Sequence, residues 1–388
     1  MIDPATDPPR PSGRWRHPFR IERSAPGLAY IWHGMRLSTW LKLLADGGFD
    51  VTFNCLPRIA FVTLISPLVS AVSLLRAGVY DRNIAATEVV PPVFVLGHWR
   101  AGTTLLHELL ARDPRFGYPT TYQCFFPETF VASGGVFNRL YAMFLPDKRP
   151  FDDVPFGIDR PQEEEHGLAN MGVGSLYRAF AFPRRGPGDR RYLDLEGLSD
   201  EERRVWEAGY LTLIKRLQFV WKKPLVLKSP MNTARIKTLL RLFPDARFVH
   251  IARDPFDVYP STIRTLKKIM EVQGLQNPPE IDGWVGEYVL ATFERMYLAY
   301  EHDRHFIPAG RLIEVRYEDL IRDPKAVMAR IYRDIDLGDF AVAAPEIEAY
   351  LAERAGHRRN RHELGDEQRR EVATRWRPYF DRFGYCAD

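Results

Sequence analysis

The sequence predicts an α/β protein with a central parallel sheet held between layers of helices. Three observations predict it. Four short runs, Pro92–Gly97, Leu225–Lys228, Arg247–Ala252 and Arg311–Val315, are apolar or β-branched, the composition of strands buried on both faces. Three of the runs are followed by helix signals, and strands alternating with helices imply parallel pairing. The 388 residues are 45% hydrophobic and 27% charged, ample for a full core.

In chain order, residues 1–23 are rich in Pro, Arg and Asp and lack an apolar core segment, so a disordered tail rather than a secretory signal is expected. Residues 24–90 are expected to form a helical extension. Within it, Ile59–Leu75 carries no charge and is bounded by Arg58 and Arg76. It sits at the lower edge of bilayer-spanning length, and Pro67 interrupts it. Ser66, Ser70 and Ser73 fall on one side at helical spacing. A buried or interfacial helix is expected. The rival reading is contact with a membrane surface through 51–76, to which Trp40, Leu41, Phe53 and Leu56 add apolar weight.

Residues 91–388 are read as one domain. Its first strand runs into Gly97-His98-Trp99-Arg100-Ala101-Gly102-Thr103-Thr104 and then an amphipathic helix. Strand, tight glycine loop and helix N-terminus together make a phosphate cradle. The spacing approaches the P-loop pattern, so the expected fold is P-loop-like with three layers. However, Thr103 stands where that pattern has lysine, and Arg100 places a cation inside the loop instead. The loop suits a phosphate-bearing nucleotide without marking transfer of a γ-phosphate.

Residues 116–218 contain little strand and many aromatics, among them Tyr122, Phe125, Phe130, Phe137 and Tyr141. They are expected to form a helical and loop insertion that roofs the cleft and lines an acceptor pocket. Ser199 with Glu202 forms a capping box for a helix reaching about Trp221. Ser229-Pro230 and Asp323-Pro324 supply N-caps and first-turn prolines for helices over Asn232–Phe243 and Lys325–Ile335. Ligands of parallel sheets bind at the carboxyl ends of the strands. Gly97, Lys228-Ser229 and Arg253 all lie there and should converge on one cleft. Arg253 ends a strand and Ser261 follows on the next helix, a pair suited to an isolated phosphate.

Net charge is +4 and the pI about 8.8, compatible with an anionic small-molecule ligand. No basic run interleaved with aromatics argues for nucleic acid. Cys55, Cys124 and Cys386 are sparse and show no CxxC, against both a disulfide scaffold and a zinc site. A reducing, cytoplasmic setting is expected, with the membrane surface as its alternative refinement.

These motifs resemble the sulfotransferase family that uses 3′-phosphoadenosine 5′-phosphosulfate (PAPS). Arg100-Ala101-Gly102-Thr103-Thr104 looks like the family's 5′-phosphosulfate loop, and Arg253 with Ser261 like its 3′-phosphate pair. Arg149-Pro-Phe-Asp-Asp-Val154, Pro161-Gln-Glu-Glu-Glu165, Leu227-Lys-Ser-Pro230, Phe243-Pro-Asp-Ala-Arg-Phe248 and Tyr317-Glu-Asp-Leu320 are similar to a bacterial branch. The resemblance spans roughly Pro92 to Leu337 and implies PAPS as co-substrate. Two departures stand out. Leu105 replaces the tryptophan that stacks on adenine in cytosolic relatives, leaving Tyr317 as the expected adenine neighbour. The C-terminal Arg-Lys-Gly of those relatives is absent, and Arg358 and Arg359 are the nearest basic equivalent.

Sulfuryl transfer requires positioning and electrostatic stabilisation, and a divalent metal is not obligatory. Arg100 and the N–H groups of Gly102 to Thr104 are assigned to the 5′-phosphosulfate. Lys228 is assigned to the bridging oxygen or the sulfonate, and His98 to possible sulfonate contact. An acceptor hydroxyl or amine needs a general base. Glu163, Glu165 and His166 are the candidates, and successive helical residues some 100° apart cannot all face one cleft. A lipophilic alcohol or lipid is the favoured acceptor. Two rivals stand beside this reading: a P-loop nucleotide kinase, which lacks its lysine here, and a non-catalytic nucleotide-binding module at a membrane, which needs no base.

Overall fold

The computed structural model describes residues 31–133, 157–277, 284–353 and 364–387. Four parallel strands form one sheet: β1 (Val93–Leu96), β2 (Val226–Lys228), β3 (Arg247–Ala252) and β4 (Leu312–Arg316), in the order β2-β1-β3-β4. Each lies inside or within one residue of the run expected from sequence. In the central pair, Val93 lies opposite Arg247 and Leu96 opposite His250.

Alternation along the strands divides the core in two. Phe94, Leu96, Leu227, Phe248 and Ala252 join one cluster, while Val93, Val95, Val226, Val249 and Ile251 join the other. Both sheet faces are therefore covered by helices, which accounts for the near-continuous apolar strands. The second cluster is completed by the helices Thr103–Leu110 and Pro324–Asp334.

Two of the three expected caps are present, at Ser199 and Asp323, whereas the Ser229 side chain makes no cap bond. Ser199 accepts from the Glu202 N–H at 3.2 Å, and the Ser199 N–H donates to the Glu202 carboxylate at 2.8 Å, opening the helix Asp200–Trp221. Asp323 and Pro324 open Pro324–Asp334. After Ser229 the chain differs from expectation. A 3-10 turn, Pro230–Ala234, precedes a shorter helix, Ile236–Leu242. The turn places Thr233 under the glycine loop and Asn232 against Glu164, so side-chain partners override helical continuity there.

The N-terminal helices pack into the first cluster. Ile31, Trp32, Met35, Trp40 and Leu43 belong to it, and the Trp32 indole donates to the Gln273 carbonyl at 2.8 Å. Ile59–Leu75 forms part of one continuous helix, Leu56–Ala85, through Pro67. Of the aromatics expected in the insertion, Tyr122, Phe125 and Phe130 are buried. Phe137 and Tyr141, the 149–154 motif, the 1–23 tail and Arg358 and Arg359 lie outside the described residues.

Candidate active site

The site lies at the carboxyl ends of β1, β2 and β3, as the topology requires. At the end of β1 the chain turns through Gly97 (φ +140°), whose N–H donates to the Thr233 hydroxyl at 2.7 Å. A Cβ at Gly97 would come within 2.6 Å of the Ile251 carbonyl, so β3 presses directly on the loop. Arg100 adopts φ +68°, a conformation sparsely used by side-chain-bearing residues and concentrated at functional loops. Gly102 (φ +101°) forms the N-cap of the helix Thr103–Leu110. A Cβ there would meet the Tyr317 ring at 2.3 Å. Gly102→Ala is therefore expected to cost about 1–3 kcal/mol, from the backbone and the displaced ring together. A urea midpoint indistinguishable from that of the parent protein would contradict this packing.

The loop feeds two groups of side chains. The first is cationic. Arg100 Nε donates to the Ser261 hydroxyl at 3.0 Å, and Arg253 Nη1 donates to the Arg100 carbonyl at 3.1 Å. Asp257 pairs with Arg253 Nη2 at 2.8 Å, and the Arg253 guanidinium lies 4.4 Å from the Tyr317 ring centroid. The Tyr379 hydroxyl receives the Arg253 N–H at 3.0 Å. The structure thus brings Arg100 to the Arg253–Ser261 pair, and Tyr317 covers Gly102. Two guanidinium groups, a hydroxyl and a helix N-terminus in one place suit a phosphate.

The second group surrounds Lys228 at the end of β2. Its ammonium, only 3% exposed, lies 2.5 Å from Glu163 Oε1 and 3.5 Å from the Thr104 hydroxyl. The Tyr177 hydroxyl donates to Glu163 Oε2 and receives the Trp99 indole N–H at 3.0 Å. Burial by itself would raise the Glu163 pKa. The Lys228 ammonium, His166 and the Tyr177 hydroxyl outweigh it and hold the carboxyl below the ordinary glutamate value.

The three consecutive glutamates diverge as helix geometry demands. Glu164 accepts from the Lys228 N–H at 3.0 Å, from Asn232 at 2.6 Å and from the Tyr210 hydroxyl at 3.2 Å. Burial pushes its pKa up. Glu165 forms an ion pair with Arg235 at 2.7 Å, both side chains wholly inaccessible. Glu165 is thus a structural anchor turned from the cleft, a revision of its expected place among the bases. Glu163 alone of the three meets the Lys228 ammonium. His166 is half-buried, its ring 4.7 Å from that of Tyr177 and 5.8 Å from that of Phe125.

His98 also requires revision. It is buried among Trp99, Phe293 and Trp376 rather than at the mouth of the loop. Burial lowers its pKa to about 4, partly countered by its contact with the Trp99 carbonyl, so the ring is neutral at pH 7. Ala101 closes the turn, its N–H donating to the His98 carbonyl at 3.1 Å, and Thr103 is buried at the helix start. Leu105 packs partly buried against the second core cluster. Among the described residues, no group of three His, Cys, Asp or Glu side chains is placed to hold a metal ion.

Sequence reasoning missed Tyr177, Trp99, Asp257, Tyr379 and Arg235. Trp99 stood inside the glycine loop, so its position was a signal. Tyr177 lies in the 3-10 helix Leu176–Ala181 with no motif around it, and only the fold carries it to Glu163.

A family model described as Sulfotransferase family matches residues 91–340. The ω-hydroxy-β-dihydromenaquinone-9 sulfotransferases Stf3 of Mycobacterium bovis and Mycobacterium tuberculosis are each 37% identical to the chain over 372 residues, covering 95% of both sequences. Two solved structures share the fold. Sulfotransferase STF9 from Mycobacterium avium has a TM-score of 0.64 at 18% identity, covering 91% of this chain and 97% of that one. Sulfotransferase STF1 from Mycobacterium tuberculosis has a TM-score of 0.60 at 19% identity, covering 88% and 91%.

Proposed function

The chain belongs to the sulfotransferase family, and from that membership we propose that it takes the sulfuryl group from PAPS and delivers it to the hydroxyl of a lipophilic alcohol. The observation that carries this reading is Lys228, whose ammonium stands between the loop hydroxyl of Thr104 and the carboxylate of Glu163. It links an anion-binding loop to a base.

The residues fit such a donor. Arg100, Arg253 and Ser261 form a cationic pole suited to the 3′-phosphate, and Asp257 and Tyr317 hold Arg253 in place. The loop N–H groups at Gly102 to Thr104 and the helix beyond them suit the 5′ end. PAPS supplies an electrophilic sulfur and a phosphate leaving group. Arg100 thereby shifts from the 5′ group, to which its loop position assigned it, toward the 3′ pole that its side chain reaches.

Lys228 tunes Glu163. While the ammonium rests on the carboxylate, Glu163 is a weak base. Attraction of the ammonium toward an anion at Thr104 weakens that hold, and burial then raises the basicity of Glu163. The carboxylate gains strength as a proton acceptor when the loop is filled. Tyr177, itself fixed by Trp99, holds the second carboxylate oxygen.

Two observations support a lipophilic acceptor. The Stf3 relatives act on a menaquinone derivative bearing a terminal hydroxyl. In this chain an aromatic and apolar group, Trp99, Leu176, Tyr177, Phe180, Leu266 and Tyr288, gathers around the Tyr177 hydroxyl that reaches Glu163.

The test combines donor binding with transfer. Calorimetry is expected to show tight binding of adenosine 3′,5′-bisphosphate. Arg253→Ala and Arg100→Ala are each expected to weaken it about 10–100-fold, the loss of one or two charge-assisted hydrogen bonds. Radiolabelled PAPS should label an ω-hydroxylated isoprenoid quinol in preference to phenols and amines. Preference for ATP with magnesium over the bisphosphate would sink the donor assignment. Labelling of polar sugars alone would sink the acceptor.

A further inference from the structure

The helix Leu56–Ala85 is patterned inside out. Its protein-facing side carries Ser66, Ser73 and Arg76 beside Val62 and Val69, all buried. Arg76 donates to the Glu128 carbonyl at 2.9 Å, and Glu128 also pairs with Arg36 at 3.3 Å and Arg216 at 3.2 Å. The opposite side is apolar at every exposed position from Leu56 to Val79. Leu64, Leu68, Leu74, Leu75 and Val79 are all more than half exposed there. At 1.5 Å per residue the bare face is about 36 Å long. A core helix of a soluble protein shows the reverse distribution.

The face continues into an aromatic tip. Phe53 is 87% exposed just before the helix, and Phe49 is 61% exposed in the preceding turn. Phe49 is held there at φ +53°, a left-handed conformation fixed by its N–H donating to the Leu44 carbonyl at 2.9 Å. Basic side chains ring the same turn. Lys42 and Arg178 reach Asp46 at 3.2 and 3.1 Å, Arg185 donates to the Asp46 carbonyl at 2.6 Å, and Arg184 lies 3.7 Å from Asp50. Four cations face two carboxylates.

We propose that this face, with its Phe49–Phe53 tip, is a monotopic docking surface for an anionic lipid bilayer, entered to the depth of one helix side. Apolar length, protruding aromatics and a basic rim are what an interfacial anchor requires. The exposed side between Leu56 and Val79 offers no side-chain donor or acceptor to fix the register of a protein partner, whereas a fluid hydrocarbon needs none. By length and composition this helix could cross a membrane. Its packing against Leu37–Asp46 and Asp200–Trp221 and the buried Arg76–Glu128 pair prevent that, because the protein-facing side cannot meet lipid. The surface does not depend on the donor or acceptor assigned above, and it would let a catalytic domain draw acceptor from the bilayer it rests on.

The experiment is vesicle flotation of the full-length protein without donor or acceptor. Wild type is expected to float with phosphatidylglycerol-containing vesicles and more weakly with pure phosphatidylcholine. Leu64→Glu, Leu68→Glu and Leu75→Glu should each weaken partitioning about tenfold. They should keep the parent melting temperature and activity on a short water-soluble alcohol, which separates failure of the surface from failure of the enzyme assignment. Arg184→Glu with Arg185→Glu should remove the preference for anionic vesicles. Wild type remaining at the bottom of the gradient with both vesicles would overturn the proposal. So would a stable dimer, seen by light scattering, that the leucine substitutions convert to monomer.

Discussion

Glu163→Gln is expected to lower kcat about 10²–10⁴-fold while leaving donor affinity nearly unchanged, the signature of a lost general base. Glutamine keeps an amide oxygen to accept from the Tyr177 hydroxyl or the Lys228 ammonium, so the fold should tolerate it. The pH profile carries a sharper test. Lys228, His166 and the Tyr177 hydroxyl hold the Glu163 carboxyl below its ordinary value against the pull of burial. The working form is the carboxylate. In kcat/KM for the donor, which reports the enzyme before the loop is filled, activity limited by it is therefore present at neutral pH and is lost only as pH falls through that depressed pKa. Lys228→Met removes the strongest of the lowering influences and leaves the burial. The Glu163 pKa then rises, and the acid limb of the residual activity moves to higher pH. An unmoved limb would remove Lys228 from its tuning role. A drop of less than tenfold in Glu163→Gln would transfer the proton-accepting role to His166.

Arg235→Leu should be the most destabilising single change near the site, at about 3–5 kcal/mol, because it strands a buried carboxylate. Arg235 and Glu165 are both wholly inaccessible and pair at 2.7 Å. Arg235 also donates to the Leu193 carbonyl at 3.1 Å and to that of Tyr192, and its guanidinium lies 4.8 Å from the Trp206 ring centroid. One residue therefore ties the helix that begins at Glu164 to the segment behind it. Urea denaturation is the measurement. Glu165→Leu combined with Arg235→Leu should recover part of the loss, since the unpaired charge is gone. A double variant no more stable than Arg235→Leu would place the cost in the lost carbonyl contacts instead.

Glu163, Glu164 and Glu165 show where sequence reasoning stops. Helical geometry already said that three adjacent carboxylates must point apart. It could not say which one meets the cleft. That depends on where Lys228, Asn232 and Arg235 lie, and these come from a segment some 65–70 residues away. His98 makes the same point. Inside a glycine loop it looked placed for an anion, yet the aromatic residues Phe293 and Trp376, far along the chain, enclose it. The uncharged segment Ile59–Leu75 was read as buried or interfacial, and only the packing of the helix Leu56–Ala85 shows which side is bare.

The sequence by itself determined the four strands, the glycine loop, the Ser199–Glu202 capping box and the Asp323 cap. These are set by local chemistry: β-branched runs, the need for positive φ at Gly97 and Gly102, and hydroxyl or carboxylate groups that satisfy helix N–H groups within a few residues. It also put Gly97, Lys228 and Arg253 at strand ends, from which a common cleft follows once the strands are parallel. Only the tertiary structure decided the direction of each side chain in that cleft. It joined Arg100 to Ser261, set Tyr177 on Glu163 and sealed Glu165 against Arg235. The physical reason is that a charge or hydroxyl withdrawn from water needs a partner. In this fold those partners come from segments distant in the chain, so only the folded packing determines which group finds which.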